Sequence, residues 1–219
     1  NIISRVTSGN PSSIDGLWRS TIPNADMYFL NPAGIMFGPN AKLDVQGSFH
    51  ASTAHTLKLQ DGGEFNARTP ANSLLTIAPI ASFGFIDDNI APISVAGTGE
   101  INSRDWQPQP LGLHVPEGQA FSLIGGALEI KNGIFFRSTS TNQPNATSSA
   151  TISLPLISAP NGRLTLASIA SPSEISLTAE GVTLSPNSRL GQIHIGDQAL
   201  LSVSGPGAGK VFIRSGQLV

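Results

Sequence analysis

The chain has 219 residues, 39% of them hydrophobic and only 12% charged, with 23 Gly, 16 Pro, no Cys and a formal net charge of −2. This is enough apolar content for one continuous core, the length demands no second domain, and the Gly and Pro content suits an all-β chain that turns often. The charge balance offers no field for nucleic acid or an anionic membrane surface, and the lack of Cys excludes disulfides, thiolate metal sites and Cys nucleophiles together.

Residues 1–25 place Ile2-Ile3, Arg5-Val6 and Leu17-Trp18 on either side of a Gly9-Asn10-Pro11 turn, and the apolar pairs among them predict short strands. From Met27 to Phe49 three apolar runs alternate with three turn signals: Asn31-Pro32 with Gly34, Gly38-Pro39-Asn40, and Gln46-Gly47-Ser48. The runs are too short for helices, and the two-residue Asn-Gly turns of antiparallel hairpins are missing. The pattern predicts a coil of short strands, a parallel β-helix.

Thr56-Leu57-Lys58-Leu59-Gln60 alternates with Leu57 and Leu59 inward. Residues 1–66 therefore read as the first coils. Between 67 and 117 the pattern loosens. Leu74–Ile77 and Ile80–Phe85 suggest two strands interrupted by Pro79, Asp87-Asp88-Asn89 a polar bend, Ile93-Ser94-Val95 a strand, and Trp106–Pro110 a rigid crossing loop. The section is expected to be an extra-helical β-hairpin excursion lying over the coil.

Residues 118–219 return to the regular pattern, apart from a polar, low-complexity stretch at 138–151 expected to be an exposed, mobile loop. The last apolar residues of the C-terminal strands, at 166, 177, 184, 195, 203 and 213, are spaced so that alternate members lie 18, 18, 19 and 18 residues apart. This is near the lower end of solenoid repeats. The expectation is roughly 8 to 10 coils and a rod on the order of 40 to 50 Å long, a single domain over 1–219. Both termini lie in apolar runs, so the chain is expected to be cut from a longer protein; no segment approaches the ~20 apolar residues of a membrane span, and no signal peptide opens it.

Stacked coils place side chains ~4.8 Å apart, close to the ~5 Å between the carboxylates of retaining glycosidases. Asp44 and Glu64 are the obvious pair, with Asp87 and Asp88 in the next polar bend. No aromatic or Arg cluster accompanies them and Glu64 sits in a Gly-rich turn, so no catalytic residue is assigned and the chain is read as a non-enzyme. His50, His55, His114 and His194 lack metal-ligand spacing and are read as surface side chains. No calcium loop, Gly-x-Ser-x-Gly, P-loop or dinucleotide fingerprint occurs, so no metal or cofactor is expected. The Asn145-Ala146-Thr147 sequon is expected by chance in so Asn/Thr-rich a stretch.

Asn31-Pro32-Ala33-Gly34-Ile35, followed by Phe37-Gly38, resembles the Asn-Pro-Asn-Gly-Ile motif of filamentous-haemagglutinin-type exoproteins, in the N-terminal domain that directs two-partner secretion. Asn1–Thr7, Ile14-Asp15-Gly16, Gly47–Ser52, Leu123–Gly126 and Gly162-Arg163-Leu164 also match, and the likeness is greatest to cyanobacterial members. Ala33 departs from the family's usual Asn, and the family's first Asn-Pro motif and N-terminal cap would precede Asn1. The resemblance implies a right-handed parallel β-helix with extra-helical strands, acting as secretion signal and folding nucleus of a large exported adhesin. It also implies a partner, an outer-membrane barrel transporter with periplasmic POTRA domains, and a secreted or cell-surface destination reached through the periplasm and outer membrane. The secretion motif would be Asn31, Pro32, Gly34 and Ile35, with two roles open: contact with the transporter, or simply a tight corner.

Two other readings stand beside this one, a polysaccharide-active β-helix enzyme and an inert segment of a surface fibre. A host, cell-surface or polysaccharide ligand of the full-length protein stays open, and the isolated domain is expected to be monomeric. Gly34 is expected at positive φ, and Asn31→Ala is expected to be mild for folding unless the side chain caps a corner amide.

Overall fold

The computed structural model describes residues 1–101, 112–143, 146–154, 156–178 and 181–219. The Trp106–Pro110 crossing loop and Asn145 of the sequon lie outside the described residues. Among those described there is no α-helix; the only helical turn is a 3-10 turn at Pro70–Asn72.

Strands Ile2–Arg5, Met27–Leu30, Phe49–Ser52, Ala120–Gly125, Arg163–Ser168 and Lys210–Arg214 stack in sequence order as one wholly parallel sheet. A second parallel sheet stacks Ser12–Ile14, Ile35–Phe37, Ile93–Ala96, Leu128–Lys131, Gln192–Ile195 and Gln217–Leu218 in the same way. Shorter parallel ladders pair Leu17–Arg19 with Lys42–Asp44, and Leu113–His114 with Ile157–Ser158 and Leu201–Ser202. The chain thus passes from first sheet to second to third and returns to the first five times, ending on a sixth pass through the first two sheets.

The register places Ile2, Met27, Phe49, Phe121, Leu164 and Val211 in one column, with Phe29, Ala51, Leu123, Leu166 and Ile213 in the next inward column. With the inward residues of the second sheet (Ile35, Phe37, Ile93, Val95, Leu128, Ile130, Ile193) these form the main core, apart from Val211, which is exposed at the end of its column. Stacked aromatics fill it: Phe49 lies 5.8 Å from Phe121, 6.2 Å from Phe37 and 6.0 Å from Trp18, centroid to centroid. Gly and Pro at the corners let the chain leave each short strand before its apolar alternation runs out.

The alternate residues of the first sheet, pointing away from this core, are also covered. An antiparallel sheet of five strands, ordered Gly181–Leu184, Ser173–Thr178, Ile80–Phe85, Thr56–Leu59 and Glu64–Asn66, lies over them. Leu30, Ile124 and Ala167 from the parallel side meet Leu57, Phe65, Phe83, Phe85, Ile175 and Val182 in a second core. A salt bridge binds this sheet across its middle, Lys58 Nζ to Glu174 Oε2 at 2.5 Å, with Ser82 Oγ donating to Glu174 Oε1.

Several expectations are corrected here. Residues 56–66 belong to the antiparallel sheet, not to a coil, and the extra-helical part is five strands from three regions, not one hairpin within 67–117. Ile93–Ala96, inside that section, is a strand of the second parallel sheet. Leu74–Ile77 forms no strand, only an isolated bridge from Leu74 to Glu64. The 18-residue repeat is not a coil period: Ser173–Thr178 and Gly181–Leu184 pair antiparallel with each other, and the first sheet is re-entered at intervals of 25, 22, 72, 43 and 47 residues, counted between Ile2, Met27, Phe49, Phe121, Leu164 and Val211. Alternating polarity marks any half-buried strand, and with two cores both strand types alternate.

Six strands replace the expected 8 to 10 coils. Five spacings of about 4.8 Å give a stack about 24 Å high, shorter than expected. The polar stretch at 138–151 is not a loop either. Ile134–Gln143 and Ala146–Leu154 pair antiparallel from Ile134↔Leu154 out to Gln143↔Ala146. A ladder satisfies the backbone of a long polar segment without any apolar pattern, which is why composition alone misread it.

Candidate functional site

The corner after Met27–Leu30 is built by its own residue types. The Asn31 Oδ1 accepts the amide of Ala33 at 2.9 Å, an Asx turn, and the Asn31 carbonyl accepts the amide of Gly34 at 3.1 Å. Pro32 has a fixed φ and no amide to satisfy. Gly34 has φ +121°, a region that strains any residue with a Cβ, and a Cβ there would stand 3.4 Å from the Pro92 carbonyl oxygen and 3.6 Å from the Pro11 Cβ.

The corner is tied to the turns stacked on either side of it. Asn31 Nδ2 donates to the Asn10 carbonyl at 2.9 Å and to Ser12 Oγ at 2.8 Å, while the amide of Ser12 donates to the Gly34 carbonyl. Toward the next turn, the Ile35 amide donates to the Pro92 carbonyl at 3.2 Å. Asn31 and Ile35 are each 1% exposed. The condition under which Asn31→Ala would not be mild is therefore met: the side chain caps one amide and donates to two acceptors. The corner's outward parts are the half-buried Pro32 and Ala33 and the 47%-exposed Met36.

Grooves flank the corner. One, of ≈ 460 Å³, runs along the outer face of the second sheet past Ala33, Met36, Ser94, Glu129 and His194. The other, of ≈ 250 Å³, lies between Asn31-Pro32 and the trio His55, Arg68 and Asp87. Arg68 pairs with Asp87, whose Oδ1 is 3.6 Å from His55 Nε2, and His55 Nδ1 accepts the Ile86 amide. Burial holds the His55 pKa below its usual value, with Asp87 opposing.

The acids weighed for catalysis do not assemble. Asp44 accepts Arg19 Nε at 2.6 Å on the third-sheet ladder, whereas Glu64 lies on the edge of the antiparallel sheet and accepts Asn66 Nδ2. Asp88 pairs with Arg189 at 2.8 Å. No three His, Asp or Glu side chains gather as metal ligands among the described residues.

His50 and His55 are not surface side chains; they are 5% and 3% exposed. His50 stacks on Tyr28 at 4.6 Å between centroids, and its Nδ1 lies 3.0 Å from Ser122 Oγ. Burial pushes the His50 pKa down to about 4, Asp26 opposing and Arg163 adding, and pushes the Tyr28 phenol up to about 12, with Asp26 adding. Sequence reasoning missed this face because it placed only one core; the signal available was a Tyr and a His, not charged residues, at the outward positions of neighbouring strands.

No curated protein and no solved structure shows a match to the chain. The sequence model of one family, the TPS secretion domain, matches residues 1–210. That span contains the first parallel sheet up to the start of its last strand, the second except its last strand, the antiparallel cover and the whole Asn31–Ile35 corner, and the chain belongs to the TPS secretion-domain family.

Proposed function

We propose that the chain is a single right-handed parallel β-helix domain that serves as secretion signal and folding nucleus of a large exported adhesin. Its family is a non-enzymatic secretion domain, which gives the chain a role in two-partner secretion; such domains belong to exported proteins that pass the outer membrane with the help of an outer-membrane transporter. In our reading the partner is a barrel whose periplasmic POTRA domains engage the corner at Asn31, Pro32, Gly34 and Ile35, delivering the protein to the cell surface or medium. The observation that carries this is the division of labour at the corner. Asn31, Gly34 and Ile35 are buried and bonded to the turns before and after, so they hold a shape, while Pro32, Ala33 and Met36 are what that shape presents.

The test uses the full-length exoprotein with its transporter. Met36→Lys and Ala33→Gln alter the presented surface without touching the buried hydrogen bonds. Export into the medium should fall while the thermal midpoint of the chain stays in place. Undiminished export with both changes would leave the corner a purely structural feature.

A further inference from the structure

A groove of ≈ 510 Å³, within the range of small-molecule sites, opens between the first parallel sheet and the antiparallel cover. Its rim carries two cations brought together only by the fold: Arg163 and Lys210 are direct partners on neighbouring parallel strands. Like charges in direct register about 4.8 Å apart repel. Arg19, Lys58, Arg68, Lys131 and Arg189 each have a carboxylate partner, whereas Arg5, Lys42 and Arg214 have none among the described residues. Among the described residues Arg163 and Lys210 have none: Arg163 Nη1 donates to the Thr178 carbonyl at 2.9 Å, leaving the rest of its fork uncommitted.

Among the described residues, neither acid near the groove pairs with these cations. Asp26 Oδ1 accepts the Ser48 amide at 2.8 Å, and Glu117 accepts Asn161 Nδ2. The groove is also lined by the phenol of Tyr28 and by His50, whose ring is bonded through Nδ1 alone among the described residues. Small residues, Ala81, Gly118, Ala120, Gly162 and Ala208, keep the space between these groups open.

We propose that this groove is an anion-binding site that takes the carboxylate or phosphate group of a small ligand between Arg163 and Lys210. A bound oxyanion relieves the repulsion of the two cations and engages the guanidinium fork and the ammonium together. The site is independent of the corner at Asn31, so its failure would leave the secretion reading untouched.

The test is calorimetric titration of the chain, at low ionic strength, with sodium glucuronate, inorganic phosphate and neutral glucose. Saturable binding of either anion without binding of glucose is the expected result. Tighter glucuronate binding assigns the groove to acidic sugars, and tighter phosphate binding to phosphate-bearing ligands. Lys210→Gln changes an exposed side chain with no hydrogen bond to lose among the described residues, and should weaken anion binding by about tenfold or more, the equivalent of about 1.4 kcal/mol. Arg163→Gln should weaken it further, with the thermal midpoint recorded to exclude unfolding. No saturable anion binding, equal binding of glucose, or an affinity unchanged in Lys210→Gln would overturn the proposal.

Discussion

Replacing Asn31 by Ala removes three hydrogen bonds from a residue that is 1% exposed: the accepted Ala33 amide at 2.9 Å and the two donations to the Asn10 carbonyl and Ser12 Oγ at 2.9 and 2.8 Å. Each such bond contributes a net of about 1 kcal/mol. Asn10 is exposed and Ser12 half-buried, so both partners recover some water, and the Ala33 amide carries the largest residual penalty. The expected loss is about 2–3 kcal/mol, which for a chain of this size lowers the midpoint by about 5–10 °C. Thermal unfolding followed by circular dichroism measures it. A double-mutant cycle with Ser12→Ala isolates the Nδ2–Oγ bond, and a coupling of about 0.5–1.5 kcal/mol is expected. A midpoint unchanged in Asn31→Ala together with no coupling to Ser12 would refute the assignment of this side chain to the fold.

Gly34→Val should cost about 1–3 kcal/mol, because φ +121° is strained for a β-branched residue and the added Cβ presses toward the Pro92 carbonyl; a denaturant titration checks it. Phe49→Ala should cost about 3–5 kcal/mol, since its ring is fully buried and touches Phe37, Phe121 and Trp18; the same titration reads this, and a loss below about 1 kcal/mol would contradict the aromatic stack. Acid should begin to destabilise the fold at a pH above the ordinary carboxylate range. The His50 pKa is about 4 when folded against 6.5 ordinarily, so the unfolded chain takes up a proton first and stability falls as pH drops from about 6.5 to about 4, by about 3 kcal/mol from this residue. His55 acts with the same sign. In His50→Gln the slope of stability against pH over that window should flatten, and an unaltered slope would show that His50 titrates freely in the folded state.

Much of the parallel architecture was legible in the sequence because its cause is local. Asn31, Pro32 and Gly34 each make a corner by their own backbone chemistry, and the apolar alternation of Met27–Leu30 and Ile35–Phe37 decides which side chains enter the core between corners. The inward direction of Leu57 and Leu59 was equally readable, but not which core they enter, since a period of two is the same for a parallel coil and an antiparallel cover. Only the tertiary structure brought Thr56–Leu59, Ile80–Phe85 and Ser173–Thr178 into one sheet, because pairing between segments some 90 residues apart leaves no mark in local pattern. The burial of His50 and His55 follows from that cover, as does the meeting of Arg163 with Lys210 at its rim. The sequence by itself determined the corners, the alternating strands of the parallel sheets and the family motif; stacking and coverage decided that Asn31 is a buried stitch between successive turns while Pro32, Ala33 and Met36 face outward, because exposure depends on neighbours that arrive from distant parts of the chain.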